Sequence, residues 1–599
     1  MTTNSFARRL GTITLLAILI LGTAAWTAGT ASRPGPPDER VSSVVPVPEY
    51  GANGMVVAAK RRASEAGVQM LKKGGNAVDA AVATGFALAV VHPWAGNLGG
   101  GGFMVIRRPD GSVTTIDHRE DAPSGATQDV FLAEDGSAAR ARSRRGYLAS
   151  GVPGTVAGLL KALDKYGTLD RATVLAPAIR LAEEGFPLPY SLAQDLNGAR
   201  EDFAAFPVTK RYFIKDGPDA RYRPGERLVQ SDLAETLKRI RDQGRDGFYE
   251  GKTASLIAEQ FAENGGLIDR EDLAEYTAVE REPVSTTYRG YHVHSMGPPS
   301  SGGIAIAQLL AAAEQKPIGN MGFNSSATVH YIGEAMRRTF ADRAKWLGDP
   351  DHVMVPTQGL IQKDYVQNRM ASVDSLRITP SDSVNAGRPH LGSSSMETSH
   401  YSVADSSGMA VSVTTTLNSS YGSKVVIDGA GFFMNNEMND FVLKPGVPNQ
   451  FGLSGTRRNL VAPDRRMVSS MSPTIVEDPE GRLCLVIGAP GGSTIITTTF
   501  QIIMNVIDHG MTIDRAIAAG RVHHQWKPAA LHYETHALSR DAIRNLEARG
   551  WPVVEGVFGQ YKQWGRAQGL RVKHPDRPDQ PRVFFGASDP RGTGAAVGF

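Results

Sequence analysis

A single cysteine, Cys484, in 599 residues excludes an internal disulfide. It also leaves no lipid-attachment cysteine near the N-terminus. A chain this long can bury a sizeable core without such staples, so export without disulfides is acceptable. Charge of one sign is lacking too. The net charge is +3 and no basic or acidic run stands out, which argues against nucleic acid or a membrane surface as partner. Apolar runs long enough to span a bilayer, about 20 residues, are missing. The nearest is Leu10 to Leu21, behind Arg8 and Arg9 and ahead of small residues through Ala31. That pattern predicts an export signal over 1–31 and a periplasmic or secreted protein, with an uncleaved anchor as the alternative. Residues 32–54 then read as a linker around Arg33-Pro-Gly-Pro-Pro37. Internal repeats of solenoid type are absent.

Helical patterns cover about Arg61 to Lys73 and Ala77 to Val91, the second with Asn76 as N-cap and Pro93 beyond its end. The second is Ala-rich and nearly apolar all round, so it should be buried. The glycine run Gly96 to Gly102 precedes a strand. With no Lys-Ser/Thr and no helix after it, close backbone packing is a better reading than a phosphate loop. A strand over Thr114 to Glu120 carries Arg119. From Ser150 to about Leu273 the pattern is mostly helical and reads as scaffold. Helices are also predicted over Ile304 to Ala313, behind Gly297-Pro-Pro-Ser-Ser-Gly-Gly303, and over Tyr331 to Leu347. A strand and turn are expected over Gly429 to Phe441. Strands at Thr474 to Val476 and Leu483 to Ile487 follow, the latter leading through Gly488-Ala-Pro-Gly-Gly-Ser493 into a helix. His523-His524 has no third ligand at metal spacing, so packed histidines are the simpler reading and no metal is expected.

Residues 381–395, SDSVNAGRPHLGSSS, offer almost nothing to bury and should be exposed and mobile. The alternating residues after them, Tyr401 to Val403 and Ala410 to Asn418 about an Asp405-Ser-Ser-Gly408 turn, predict a β-hairpin. Thr398 stands at the junction. It is either the first residue of the strand or a nucleophile whose own α-amine, exposed by cleavage, serves as its base. That amine has an ordinary pKa of about 7.7–8.0, so a useful fraction is neutral near pH 7. Strand alternation puts Thr414, Thr416 and Asn418 on one face of the second strand. Thr416 can then approach Thr398, although β-propensity alone also explains a Thr there. Gly491 and Gly492 lie at a strand-to-helix turn, where backbone N–H groups can point at a developing oxyanion.

TSHYSVADSSGMAVSVTTTLNSSYGS from Thr398, NNEMNDF from Asn435, SSMSPTIV from Ser469 and GAPGGS from Gly488 occur in this order. Together they resemble the small subunit of the γ-glutamyltranspeptidases, which are N-terminal nucleophile hydrolases. The resemblance runs from about Met55 to Phe599. It implies an α+β fold, a four-layer αββα sandwich formed jointly by two self-cleavage products. A large subunit of 55–397 and a small subunit of 398–599 would arise by cutting between Glu397 and Thr398 and stay together as a heterodimer. The resemblance makes Thr398 the nucleophile, Thr416 its orienting partner, and Gly491 and Gly492 the oxyanion hole. Arg119, Ser469 and Ser470 would hold the α-carboxylate of a γ-glutamyl group, and Asn418, Glu437 and Asp440 its α-amine. Arg and hydroxyls suit a carboxylate; acceptors and carboxylates suit an ammonium. The implied reaction moves the γ-glutamyl group of glutathione or a related compound to water, an amino acid or a dipeptide. It needs no cofactor.

Two departures from the family stand out. Pro445 to Gly452 resembles the lid loop of bacterial members, but the residue that is often Tyr is Phe451, with no hydroxyl for Asn418. Gly565-Arg-Ala-Gln568 stands where relatives often have Gly-Ser-Thr-Gln, and the pattern assigns the middle pair no role. A glutaryl-type β-lactam acylase of the same superfamily is the alternative activity. A secreted binding protein with a dead site is a third reading, opposed by intact Thr398, Thr416 and Gly491-Gly492.

Overall fold

Two face-to-face antiparallel sheets, each of seven strands, form the centre of the molecule. The computed structural model describes residues 47–389, 400–556, 564–575 and 581–599. The signal assigned to 1–31, Glu397 and Thr398 lie outside the described residues. The first sheet runs in the order Glu49–Gly51, Val583–Ser588, Gln568–Lys573, Leu483–Gly488, Thr474–Glu477, Tyr291–Ser295, Val284–Tyr288. The second runs Ala595–Gly598, Gly54–Ala58, Tyr401–Asp405, Ala410–Thr416, Gly101–Arg107, Val113–His118, Val279–Arg281.

Strand alternation builds the layers. Met55, Val57, Ala404 and Ala410 of the second sheet meet Ile475, Val486, Leu570 and Phe584 of the first. Their neighbours Val56, Val403, Val411 and Val413 point outward into a helical layer that includes Ala77–Val91 and Thr155–Tyr166. Across the first sheet, Val476, Leu485 and Ile487 pack on Gly302–Glu314, Ser326–Trp346 and Thr494–Ile507. The result is an αββα sandwich. Each fully buried large aliphatic contributes about 1.5–3 kcal/mol. Cys484 lies buried as a free thiol in the first sheet.

Helix Ala77–Val91 is buried along its whole length. Asn76 accepts from the N–H groups of Val78 and Asp79, while Asp79 accepts from the Asn76 N–H at 2.8 Å. Such a cap is worth about 1 kcal/mol. The glycine run that follows lets backbones touch. A Cβ on Gly100 would lie 1.9 Å from the Thr416 carbonyl oxygen, and one on Gly102 would lie 2.3 Å from that of Thr414.

Three expectations are corrected. The linker assigned to 32–54 already contributes to the sheet, since Glu49–Gly51 pairs with Phe584 to Gly586. Residues 429–441 form no continuous strand, but isolated bridges at Phe433 and Met434 and a short 3₁₀ turn, Glu437–Asp440. The stretch 381–395 was expected to be exposed, yet residues 381–387 are tied down. Trp526 Nε1 donates to the Ser381 and Val384 carbonyls at 2.9 and 3.0 Å. Trp346 Nε1 donates to the Gly387 carbonyl at 3.1 Å, and Asp342 accepts from the Gly387 N–H at 2.7 Å. Ser and Gly carry little to bury, but backbone groups can be anchored by side chains far away in sequence.

Candidate active site

The hairpin places the central residues. Tyr401–Asp405 pairs with Ala410–Thr416, Tyr401 facing Val413. The strand ends at Thr416. Asn418 therefore does not continue its face: it sits at φ 68°, and its N–H donates to Thr416 Oγ1 at 2.6 Å. Its side chain donates to the Asn436 carbonyl at 3.0 Å. Periodicity misplaced Asn418 because a left-handed residue breaks the alternation, and Asn tolerates that conformation.

His400, the first described residue of the hairpin segment, went unread in the sequence. Its ring lies between the sheets, 3.2 Å from Thr414 Oγ1 and 2.8 Å from Ser402 Oγ. Gly488 leaves room for it, since a Cβ there would lie 2.5 Å from His400 Nδ1. Burial pushes its pKa down to about 3, so the ring is neutral at pH 7.

Strand Leu483–Gly488 leads into Gly491 and Gly492, at φ 137° and 58°, and then into helix Thr494–Ile507. Both conformations favour glycine. The Gly491 and Gly492 carbonyls accept from the N–H groups of Thr494 and Ile495. Among the described residues, neither glycine N–H has an acceptor. Two such donors at a helix N-terminus can hold an oxyanion.

Arg119 follows the end of strand Val113–His118 and is fully buried. Its guanidinium lies 2.9 Å from Glu437 Oε2, 3.0 Å from Asp440 Oδ2 and 3.5 Å from Glu120 Oε2. The residues read as the carboxylate and amine subsites are thus in direct contact. Glu120, which sequence reasoning missed, is fully buried, and burial pushes its carboxyl up to about 8 despite Arg119. Ser469 and Ser470 are also fully buried. Ser301 Oγ donates to the Ser469 carbonyl at 2.6 Å, and Arg343 Nη2 donates to Ser470 Oγ at 3.4 Å. Arg343 sits on helix Ser326–Trp346, where no local pattern separates it from a surface arginine.

The lid loop joins these parts. Asn449 Nδ2 donates to Asp440 Oδ1 at 3.4 Å. Ser419 Oγ, next to Asn418, donates to Gln450 Oε1 at 3.2 Å. The Phe451 ring packs on Gly492, where a Cβ would lie 2.6 Å from it. Gln525 Nε2 donates to the Phe451 carbonyl at 3.1 Å, and its Oε1 accepts from Ser493 Oγ at 2.6 Å. Three consecutive lid residues therefore touch the acidic cluster, the Asn418 turn and the glycine turn. His523 is hydrogen-bonded to Thr497 and Gln525, and His524 accepts from the Trp526 N–H.

Facing sheets between helical layers, with this hairpin and glycine turn at their junction, define the N-terminal nucleophile hydrolase class. The family model for gamma-glutamyltranspeptidase matches residues 63–599, and the chain belongs to that family. It is 45% identical to a glutathione hydrolase proenzyme of Escherichia coli (strain K12) over 580 residues, 96% of this chain and 97% of that protein. Its structure is similar to that of a cephalosporin acylase from Bacillus halodurans, with a TM-score of 0.81 and 27% identity, over 94% of this chain and 99% of that chain. It is also similar to a gamma-glutamyltranspeptidase chain from Helicobacter pylori, with a TM-score of 0.54 and 43% identity, over 58% of this chain and 97% of that chain. Among the described residues no helix is long and apolar enough to cross a membrane.

Proposed function

We propose that the chain is an exported, self-processing γ-glutamyltransferase and glutathione hydrolase. The precursor loses residues 1–31 and cuts itself between Glu397 and Thr398, leaving chains of 32–397 and 398–599. They stay together because their strands interleave. Tyr401–Asp405 pairs with Gly54–Ala58 on one side, and Ala410–Thr416 pairs with Gly101–Arg107 on the other. Separating the chains would break both ladders and expose unpaired backbone.

In this reading Thr398 Oγ attacks the γ-carbonyl of the donor, and the Thr398 α-amine takes its proton. The N–H groups of Gly491 and Gly492 hold the oxyanion. The C–N bond breaks, the amine returns the proton to the leaving group, and a γ-glutamyl ester of Thr398 remains. Water or the amine of an amino acid or dipeptide then attacks that ester by the same route in reverse, which frees Thr398. Arg119, Ser469 and Ser470 hold the donor's α-carboxylate; Asn418, Glu437 and Asp440 hold its α-ammonium.

The buried charge cluster carries the proposal. The Glu437 and Asp440 carboxylates meet Arg119 at 2.9 and 3.0 Å in a buried site, and buried carboxylates are the acceptors that a cation on the donor needs. An α-ammonium supplies that cation, whereas a glutaryl group does not. This disfavours the acylase reading despite the structural similarity to such an enzyme. Incubating the processed protein with glutathione should release glutamate and cysteinylglycine; no release from fully processed protein would overturn the proposal. Thr398→Ala should remain a full-length chain on a denaturing gel. A mature small chain that begins anywhere but Thr398 by mass spectrometry would sink the cleavage assignment.

A further inference from the structure

Arg566, one of the middle pair to which the sequence pattern assigns no role, lines a small basic cavity beside the glycine turn. Its place is set by its neighbours. A Cβ on Gly491 would lie 2.9 Å from Gly565 Cα, so the two backbones touch. Asp589 accepts from the Ala567 N–H at 2.9 Å and is itself paired with buried Arg521 at 2.6 Å. The Arg566 guanidinium lies 5.4 Å over the Trp94 ring, which in turn stacks on His92 at 5.7 Å. With His400, Pro490 and Thr593 these side chains line a cavity of about 30 Å³. That volume admits a group the size of a carboxylate or one or two waters.

The cavity is polar and its charge is positive. Lys60 Nζ donates to Thr593 Oγ1 at 2.7 Å on its wall. His92 is 8% exposed, and its Nδ1 has no hydrogen-bond partner among the described residues. Burial pushes Lys60 down to about 8 and His92 well below the ordinary imidazole range, so the ring is neutral. Asp195 acts on both Lys60 and Arg566, and Asp589 acts on Arg566 as well; Arg566 is the cation of the lining itself.

Sheet order places this cavity opposite the acidic cluster. Ala59 and Gly594, which also line it, adjoin strands Gly54–Ala58 and Ala595–Gly598, on one side of Tyr401–Asp405. Arg119 follows Val113–His118, on the other side. If the acidic cluster holds the donor's α-groups, the cavity lies towards what is attached beyond the scissile amide. We propose that it binds the terminal carboxylate of the peptide that leaves or accepts the acyl group, with Arg566 as the main contact. The proposal rests on the γ-glutamyl transfer reading above. It covers dipeptide acceptors and the C-terminal carboxylate of glutathione, and it gives Arg566 a specificity role.

The test compares glycylglycine with glycylglycinamide as acceptors, with L-γ-glutamyl-p-nitroanilide as donor. Each transfer rate is divided by the same protein's hydrolysis of the donor. The wild type should prefer the acid on the order of tenfold, since a part-exposed guanidinium is screened by water. Arg566→Gln should bring the ratio close to one, and Arg566→Lys should keep part of the preference. Lys60→Met should lower it in the same direction. Processing into two chains on a gel reports folding, and if Arg566→Gln fails to process, the Lys60→Met ratio decides. Equal use of both acceptors by the wild type, or an undiminished preference in the deciding variant, overturns the assignment of the cavity. A wild type that releases no p-nitroaniline overturns the γ-glutamyl reading instead.

Discussion

The two sides of the hairpin strand differ in sign and in wetness. On one side Arg119 is fully buried with Glu437, Glu120 and Asp440, under a lid that reaches Asp440 through Asn449. On the other, Arg566 and Trp94 are only partly buried. A closed acidic pocket makes each charge expensive to leave unpaired, so it can discriminate sharply. A partly exposed guanidinium is screened, so the basic side can only bias. In the proposed reaction the donor is recognised strictly and the acceptor loosely. That division suits an enzyme whose second substrate ranges from water to peptides.

The strongest way to break this contrast is Asp440→Asn. It removes one of the two carboxylates on Arg119 while keeping the shape. Losing one partner of a buried charged contact costs about 2–4 kcal/mol, or roughly 30- to 1000-fold in kcat/KM. The loss should fall on the γ-glutamyl p-nitroanilide and spare the glutaryl one, so the preference between them narrows. If both donors suffer equally, Asp440 is structural and the ammonium site has been misplaced. Equal kcat/KM for the two donors in the wild type would favour the acylase reading.

Legibility in the sequence followed the range of each signal. The hairpin, the apolar helix Ala77–Val91 and the glycine turn were readable because period, caps and glycines are local. The roles of Arg119, Glu437 and Asp440 came only from motif resemblance. Their mutual contact was invisible, since it joins segments more than 300 positions apart. Arg343 and Gln525 act through tertiary placement and leave no local mark. Asn418 was put on the wrong footing by extending an alternation past its end. The anchoring of 381–387 depends on Trp346 and Trp526, which no reading of that segment contains.

A second contrast between the two sides is their response to pH. Burial pushes Glu120 up to about 8, so between the ordinary carboxyl value near 4.3 and about 8 the folded state holds a proton that the unfolded chain has lost. Glu120 therefore makes stability fall as pH rises through that window. Burial pulls Lys60 down to about 8, so between about 8 and 10.4 the unfolded chain holds the extra proton, and stability rises with pH. Tm measured from pH 4.5 to 10.5 should fall less steeply between pH 5 and 8 in Glu120→Gln and rise less steeply between pH 8 and 10 in Lys60→Met. A Glu120→Gln curve parallel to the wild type between pH 5 and 8 would show that Glu120 is ionised in the folded protein, adding a third negative charge to the acidic side.

The mildest probe is Phe451→Tyr, at the lid residue that touches the glycine turn. Asn449 Oδ1 accepts from the Phe451 N–H at 3.0 Å, and Gln525 holds its carbonyl, so the backbone is fixed and only the ring edge changes. A tyrosine hydroxyl would add one neutral hydrogen bond, aimed at the Asn418 region beside the acidic pocket. Such a bond nets about 0.5–1.5 kcal/mol, enough for a few-fold change in how long the lid stays shut. A tighter lid admits water more slowly, and a dipeptide held at the basic side is affected less. The ratio of transfer to hydrolysis should therefore rise a few-fold, read from glycylglycine adduct against free glutamate at one acceptor concentration. An unchanged ratio would mean that the Phe451 ring only fills space over Gly492. The closing of the acidic side would then rest on Asn449 and Gln450 alone.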